Sequence, residues 1–134
     1  MVLLSGPRVA DVKSGLQYAK DYIERRSGLY CFDGDPETSY YVDVVPRVGK
    51  YFSEWCNIEE GTSYAYLIGP PTESAYALDK ALKAGDTRMV KYWAPPSNAN
   101  SCGAVLAGTE SACRSAKTAF VDAVRFALNN PDQI

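Results

Sequence analysis

The sequence predicts an α/β protein of the α+β sandwich type, in which helices cover a small mixed sheet. Strand-like runs rich in β-branched and aromatic residues alternate with segments whose apolar residues recur every three or four positions. A strand–turn–helix pattern also occurs twice, in residues 3–23 and again in residues 103–124, at an offset of 102 positions. At this offset Tyr18 aligns with Phe120. The chain therefore contains two copies of one structural unit, and the first copy lacks the elements that precede the second.

The first copy is predicted to be a short strand at residues 2–5 followed by a helix at residues 8–26. Val9, Val12 and Leu16 recur at three- and four-residue steps, which is typical of an amphipathic helix with one buried stripe. The turn-rich residues that follow, 29–39, are predicted to be a linker or crossing loop.

The remaining pattern predicts four strands and two helices. The strands are expected at residues 40–48, 63–69, 87–94 and 103–108. Thr72 is expected to cap a helix that Gly85 ends, and Thr109 is expected to cap the last helix. Residues 49–62 between the first two strands are predicted to be a surface excursion with exposed aromatic side chains.

The third strand of this set, 87–94, is predicted to form a hairpin with the fourth. Strict alternation along it would place Met89, Lys91 and Trp93 on one face. The connecting residues 95–102, "PPSNANSC", are rich in turn formers.

Length and charge limit the functional classes. A chain of 134 residues fits one domain together with part of another. The net charge of −2, without a basic run, excludes the electrostatic footprint of a nucleic-acid or anionic-membrane protein. No apolar run approaches the roughly 20 residues of a membrane span, and no secretion signal is visible at the N-terminus. We therefore expect neither nucleic acid nor a membrane as a partner.

The residues that usually carry catalysis are scarce. The chain has no histidine, and its four cysteines follow no zinc-site spacing, so we expect no metal site and no enzyme activity. The cysteines are expected to be reduced thiols; if oxidation follows isolation, Cys31 and Cys56 are the pair expected to join, because both are predicted to lie in loops. Glu59–Glu60 is typical of solvated surface, and the run around Asp33 lacks the spacing of a calcium loop.

Two polar loops remain as a candidate binding site. Glu73 follows the "PPT" turn after strand 63–69, and the "SNANS" run, residues 97–101, follows strand 87–94. If those two strands are neighbours, both loops converge, and a glutamate with several amides would suit a small cationic or hydroxylated molecule, or a polar pore. Ordinary capping and turn chemistry is the alternative explanation.

The order of the motifs resembles the bacterial microcompartment shell domain. The resemblance is carried by the strand ending Leu67–Gly69, the helix Ala75–Ala84, the strand Met89–Tyr92 and the closing unit Gly103–Val124. The strand "YYVDVVPR" resembles one that ends the family's domain, yet here it comes first. That order indicates a circularly permuted domain and resembles the tandem-domain shell proteins of ethanolamine utilisation.

The resemblance implies a domain organisation and a role. Residues 1–28 would be the terminal strand and helix of a truncated first domain, 29–37 a linker, and 38–134 a complete permuted second domain. The implied function is a structural protein of the microcompartment shell within the cytoplasm, assembled with itself as a trimer or hexamer and with other shell proteins. Its pores would pass small polar metabolites such as ethanolamine, and no cofactor is required.

The resemblance also names candidate pore residues. Glu73 matches a glutamate at the family's small pores, where it would pair with the ethanolamine ammonium group. Asn98 stands where the relatives have a more acidic loop, so charge at this position is reduced here. Ser97 and Asn100 belong to the same loop and are included with less weight.

The abundance of aromatic residues in and beside loops leaves an alternative function open. These residues are "LYCF" at 29–32, Tyr40, Tyr41, Tyr51, Phe52 and Trp55. They could stack on a planar ligand such as cobalamin, which would make the chain a ligand-binding or sensing module. The competing explanation is an interface between subunits, where tyrosine and tryptophan are enriched.

Overall fold

The computed structural model describes residues 4–25 and 29–134. Its helices are α1 (Val9–Arg25), α2 (Lys50–Cys56), α3 (Pro71–Ala84) and α4 (Glu110–Asn129). Its strands are β1 (Tyr30–Cys31), β2 (Ser39–Val45), β3 (Ser63–Gly69), β4 (Thr87–Trp93) and β5 (Cys102–Gly108). Short 3₁₀ turns lie at Pro36–Thr38 and Pro131–Gln133. The α+β sandwich class is confirmed.

The sheet has the order β1-β2-β3-β5-β4, and every pairing is antiparallel. The expected mixed sheet is therefore wrong. Helix α3 returns the chain so that β4 runs in the same direction as β3, but the hairpin inserts β5 between them. Direct pairing of β3 with β4 would have made the sheet mixed. The predicted β4–β5 hairpin is confirmed.

Helices α3 and α4 cover one face of the sheet, here called the helix face. Small side chains such as Ala77, Ala81 and Ala116 have no exposed surface, and they allow the two helices to lie close to each other and to the sheet. Phe120, also fully buried, fills the space between α4 and the strands. Thr109 caps α4 as predicted, its Oγ1 accepting a hydrogen bond from the Ala112 amide at 3.2 Å.

The opposite face of the sheet, here called the outer face, carries a second and smaller cluster. It contains Val48, Cys56, Ile58, Tyr64, Val105 and Ala107. Helix α2 and its flanking residues supply the first three, so the segment predicted as a surface excursion in fact folds back onto the sheet. Asn57 ends α2 in the left-handed conformation, at φ 52°. Seven residues are too few for helical periodicity to be visible in the sequence.

Strand β4 departs from strict alternation. Met89 pairs with Leu106 on the helix face, whereas Lys91 pairs with Val105 on the outer face, because a β-bulge lies between Met89 and Lys91. The prediction that Met89 shares a face with Lys91 and Trp93 is wrong for this reason. Lys91 and Trp93 do share the outer face.

The N-terminal unit differs in part from its prediction. Leu4 and Ser5 lie in no strand, and the rest of the predicted strand 2–5 lies outside the described residues. Helix α1 is confirmed, but its apolar side chains are largely exposed, at 73% for Val9 and 59% for Ile23. The helix therefore presents to solvent the stripe that was expected to be buried. None of the described helices is long and apolar enough to cross a membrane.

Candidate functional site

The two polar loops of the predicted site meet at one end of the sheet. Gly69 at the end of β3 pairs with Cys102 at the start of β5, so the turn into α3 lies beside the loop that precedes β5. The condition under which the loops were expected to converge, that β3 and β4 are direct neighbours, is not met, because β5 lies between them. The two loops still lie close together, because the β4–β5 loop ends at Cys102, and Cys102 pairs with Gly69 at the start of the turn into α3.

Ser97 organises the β4–β5 loop. Its Oγ accepts hydrogen bonds from the amides of Ala99 at 3.4 Å and Ser101 at 3.2 Å, and it lies 3.0 Å from the Ser101 hydroxyl. Its carbonyl oxygen accepts from the Asn100 amide at 2.9 Å. These bonds hold the loop in a fixed conformation, with a cis Pro95–Pro96 peptide bond. They leave Ser97 with a positioning role, whereas Asn98 and Asn100 are exposed.

Glu73 lies half-buried in the first turn of α3. A carboxylate at this place is favoured by the partial positive charge of the helix N-terminus. The helix begins at Pro71 and its N-cap is Pro70, which makes no side-chain cap bond. The prediction that Thr72 is the cap is therefore wrong, since two prolines already fix the backbone for the first turn.

A cavity of about 420 Å³ lies at the same end of the sheet. Gly69, Pro70 and Asn100 line it, together with Leu29 and the start of β2. Of the four predicted pore residues, Asn100 alone belongs to its described lining. Asn98 and Ser97 of the β4–β5 loop, and Glu73 in the first turn of α3, lie outside it.

A second group of side chains occupies the outer face. Its rings come from four elements: Tyr41 of β2, Phe52 and Trp55 of α2, Tyr64 and Tyr66 of β3, and Trp93 of β4. The sequence analysis singled out Tyr41, Phe52 and Trp55 but missed the rest. The alternation of "SYAYLIG" already placed Tyr64 and Tyr66 on one face of a strand, which was the available signal.

The other aromatic residues noted in the sequence lie elsewhere. Tyr40 stacks on Phe32 at 4.5 Å and on Tyr30 at 5.5 Å between ring centroids, and it packs against the helix-face core. The predicted aromatic surface is thus split between two faces of the sheet. A planar ligand stacked on the outer-face rings would therefore lie on the other side of the sheet from Phe32 and Tyr40.

Burial changes the acid–base properties of the outer-face group. Burial, with smaller contributions from Cys56, Tyr41, Asp43 and Tyr66, raises the pKa of Tyr64 to about 12. Burial likewise raises the pKa of Tyr41 and Tyr66. These phenols are neutral at physiological pH and contribute ring surfaces to the outer face.

The four cysteines are free thiols. Burial raises the pKa of the Cys56, Cys102 and Cys113 thiols, which lowers their reactivity. Cys31 is exposed in β1 and pairs with Ser39, the first residue of β2. Cys56 belongs to the outer-face cluster, against which Val45 packs. Val45 is the last residue of β2, six positions after Ser39. That separation is about 20 Å of strand, far beyond the roughly 7 Å that a disulfide allows. Cys31 and Cys56, named as the pair that would join if the thiols were oxidised, are therefore unbonded and too far apart to join in this fold. They lie in β1 and α2, so the prediction that both lie in loops is wrong.

The residues that the structure describes contain no group of three or more acidic or cysteine side chains placed to hold a metal ion. Asp33 and Asp35 instead serve the β1–β2 connection, where the Asp35 carboxylate accepts from the Glu37 amide at 3.0 Å. Both aspartates border a separate cavity of about 320 Å³ with Arg125.

Comparison with known proteins identifies relatives along the whole chain. No family model matches. The chain is 43% identical over 129 residues to the bacterial microcompartment shell protein EutL of Clostridium perfringens, and 37% identical over 133 residues to EutL of Escherichia coli. These alignments include 96% and 99% of the chain, but only 59% and 61% of the relatives. The chain thus spans about three fifths of their length.

Solved structures agree with the sequence comparison. The crystal structure of EutL from Clostridium perfringens matches with a TM-score of 0.81 at 42% identity, over 97% of this chain and 59% of the other. The ethanolamine utilization protein EutL of Leptotrichia buccalis gives the same TM-score at 45% identity, over 96% and 59%. The trimeric shell protein PduB shares the fold at 20% identity, with a TM-score of 0.70. The chain is therefore similar in sequence and fold to the bacterial microcompartment shell protein EutL along nearly all of its own length.

Proposed function

We propose that the protein is a structural tile of the shell of an ethanolamine-utilisation microcompartment, located within the cytoplasm. The observation that carries this proposal is the match of both sequence and fold to EutL along nearly the whole chain, at a TM-score of 0.81. The tile assembles with itself, as a trimer with pseudo-hexagonal symmetry, and with other shell proteins. The trimeric relative PduB supports this mode of assembly.

The proposal includes a division of the chain into domains. Residues 1–28 belong to a first shell domain, 29–37 form a linker that adds the edge strand β1 to the sheet, and 38–134 form the permuted second domain. The exposed apolar stripe of α1 supports this division, because a stripe of this kind normally packs on a sheet. The relatives have the additional length that such a first domain needs.

The tile passes small polar molecules and performs no catalysis. The absence of histidine from the sequence and the names of the relatives as shell proteins support a structural role. No cofactor is required for it. The alternative of a cobalamin-binding module has no support from the comparisons, and the division of the aromatic residues between two faces of the sheet argues against a planar ligand on them.

The pore is proposed to lie where the β3–α3 turn and the β4–β5 loop meet. Glu73 supplies a carboxylate near the convergence of the loops, and Asn98 and Asn100 supply exposed amides. An ethanolamine ammonium group would pair with the Glu73 carboxylate in a charge-assisted hydrogen bond. Ser97 holds the loop through its hydrogen bonds with Ala99, Asn100 and Ser101.

Electron microscopy of the purified protein tests the tile. A shell tile is expected to form ordered two-dimensional layers with threefold or sixfold symmetry as its concentration is raised. Dispersed particles without a lattice, over the whole concentration range, would contradict the proposal.

Calorimetric titration with ethanolamine tests the pore residue. Glu73→Gln removes the charge at nearly constant shape and is expected to weaken binding at least tenfold. Glu60→Gln, in the exposed turn before β3, is the matched control and is expected to leave binding unchanged. Equal binding by the wild type and the Glu73 variant would refute the assigned role.

A further inference from the structure

The outer face of the sheet contains a cavity that the proposed function does not use. Its volume is about 310 Å³. It is lined by Tyr41, Asp43, Val45, Phe52, Trp55, Tyr64 and Tyr66. Five of these seven side chains are aromatic and one is a carboxylate. The cavity lies over the middle of β2 and β3, away from the end of the sheet where the pore is proposed.

The rings form walls that meet at steep angles. Tyr41 and Tyr66 lie 6.0 Å apart at 69°, and Phe52 lies 5.7 Å from Tyr64 at 60° and 6.1 Å from Trp55 at 76°. Edge-to-face packing of this kind turns ring faces in several directions. The faces of aromatic rings carry negative partial charge, so such a surface attracts a positive ion.

A cation already uses this surface. The Lys91 Nζ atom lies 5.5 Å from the centroid of the Trp55 ring. Trp55 in turn stacks on Trp93, with centroids 6.0 Å apart. The ring cluster thus engages an ammonium group at its edge, from a side chain that is not part of the cavity lining.

Asp43 is the carboxylate of the cavity. It is half-buried, and its Oδ1 accepts a hydrogen bond from the Val44 amide at 2.9 Å. Its Oδ2 accepts a long bond of 3.4 Å from the Tyr22 hydroxyl of α1. Within residues 4–25 and 29–134, no lysine or arginine forms an ion pair with Asp43. No side-chain cation of the described chain therefore lies within ion-pair distance of Asp43.

We propose that this cavity binds a small organic ammonium ion, with Asp43 as its counter-ion and the surrounding rings as a cage. A neutral ligand would cover Asp43 without compensating its charge, which is unfavourable. A metal ion would find one carboxylate where several oxygen ligands are needed. An anion would meet both the carboxylate and the negative ring faces. An ammonium with attached methyl or methylene groups satisfies the carboxylate and the rings together.

The chain contains its own reporter for this binding. Trp55 and Trp93 are its two tryptophans, and Trp55 lines the cavity while Trp93 stacks on it. Tryptophan emission is therefore titrated with choline chloride, at ionic strength kept constant with sodium chloride. The uncharged isostere 3,3-dimethylbutan-1-ol is the matched ligand. We expect a saturable change with choline and at least tenfold weaker binding of the alcohol.

Variants locate the site. Asp43→Asn keeps the shape of the side chain and is expected to weaken choline binding at least tenfold. Asp79→Asn, at an exposed carboxylate paired with Lys83, is the control and is expected to bind as the wild type does. Saturation-transfer NMR on the choline methyl protons repeats the comparison without relying on fluorescence.

Several results would overturn the proposal: no saturable response to choline, equal binding of the uncharged alcohol, or unchanged binding by the Asp43 variant. The inference does not depend on the proposed pore. Glu73→Gln is expected to retain choline binding, and loss of choline binding in that variant would place the ligand at the pore instead. The proposed pore is tested by ethanolamine binding to the Glu73 variant, and the proposed cage by choline binding to the Asp43 variant. Either proposal can therefore be contradicted without the other.

Discussion

The two faces of the sheet are covered in different ways. On the helix face, α3 and α4 cover the central strands, and Ala77, Ala116 and Phe120 have no exposed surface. On the outer face, the seven-residue helix α2 covers only part of the strands, and Phe52 and Trp55 remain 41% and 36% exposed. The first face carries the larger buried core of the protein. The second keeps large ring surfaces within reach of other molecules.

This difference separates the residues that fold the chain from those that can act for it. Burial of apolar surface on the helix face supplies the main stabilisation, at about 25 cal/mol per Å². The outer face combines half-buried rings with the charged groups Asp43 and Lys91. Tyrosine and tryptophan surfaces of this kind are enriched where proteins contact ligands or one another. We expect substitutions on the helix face to change stability and those on the outer face to change binding.

The largest expected effect is on the helix face. Phe120→Ala removes a fully buried ring and is expected to lower the free energy of unfolding by about 3–5 kcal/mol. Phe126→Ala, on the same helix at 41% exposure, is the matched control, with an expected loss of about 1 kcal/mol. Urea unfolding measures both. Similar losses for the two variants would show that the helix face is not the sealed core described here.

The second largest expected effect is a loss of stability at Gly103, where the backbones of β5 and β3 approach closely. A Cβ atom on Gly103 would lie 2.6 Å from both the Leu67 carbonyl oxygen and the Ile68 Cγ1 atom. Gly103→Ala is therefore expected to cost about 2 kcal/mol through overpacking. Gly49→Ala, where no atom lies within 4 Å of the added Cβ, is expected to cost about 1 kcal/mol or less, from the poorer N-cap of α2 alone. Thermal unfolding compares them, and an equally mild result at Gly103 would contradict the β3–β5 register.

The third effect tests burial on the outer face through pH. The unfolded chain ionises Tyr64 near pH 10, but the folded chain holds the pKa of Tyr64 at about 12. Ionisation therefore favours the unfolded state between these values, so stability is full below pH 10 and falls as pH rises through 12. We expect this residue to shift the unfolding equilibrium by at least tenfold over that window. Denaturant unfolding at pH 9 and pH 11.5 measures the shift.

Variants assign the pH effect to its residue. Tyr64→Phe is expected to lose less stability than the wild type between the two pH values. Tyr18→Phe, at an exposed ring of α1, is expected to follow the wild-type profile. If the stability of the Tyr64→Phe variant fell with pH as much as that of the wild type, solvent would reach this phenol in the folded protein.

The smallest expected loss of stability is at Trp55, at the edge of the outer face. Trp55→Ala removes a larger side chain than Phe120→Ala, yet it is expected to cost only about 1 kcal/mol, because the indole is partly solvated before the change. Urea unfolding followed by circular dichroism measures this cost without tryptophan emission. A loss as large as that of Phe120→Ala would erase the proposed distinction between the two faces.

The elements with clear periodicity were predictable. The strand at residues 63–69 was predicted with its observed bounds, and the predicted Thr109 cap is confirmed. Helix α2 was missed because it is shorter than the window that reveals a period. The face of Met89 was predicted wrongly because a β-bulge leaves no clear mark in a single sequence.

The candidate sites were less predictable than the fold. The convergence of the two polar loops was anticipated, but the route to it was different, because β5 lies between β3 and β4. The outer-face cavity depends on rings from three elements that approach only after folding. Asp43 gave no signal at all, since an isolated aspartate in a strand is marked by its neighbours in space and not by those in sequence.

The solution mass of this chain, measured by light scattering over a tenfold range of concentration, tests the central claim that the protein is a shell tile. The proposal predicts a trimer of about 44 kDa, three copies of the 14.7 kDa chain, or a larger multiple of it. A constant mass of 14.7 kDa over the whole range would contradict the claim, because a shell tile must associate with itself.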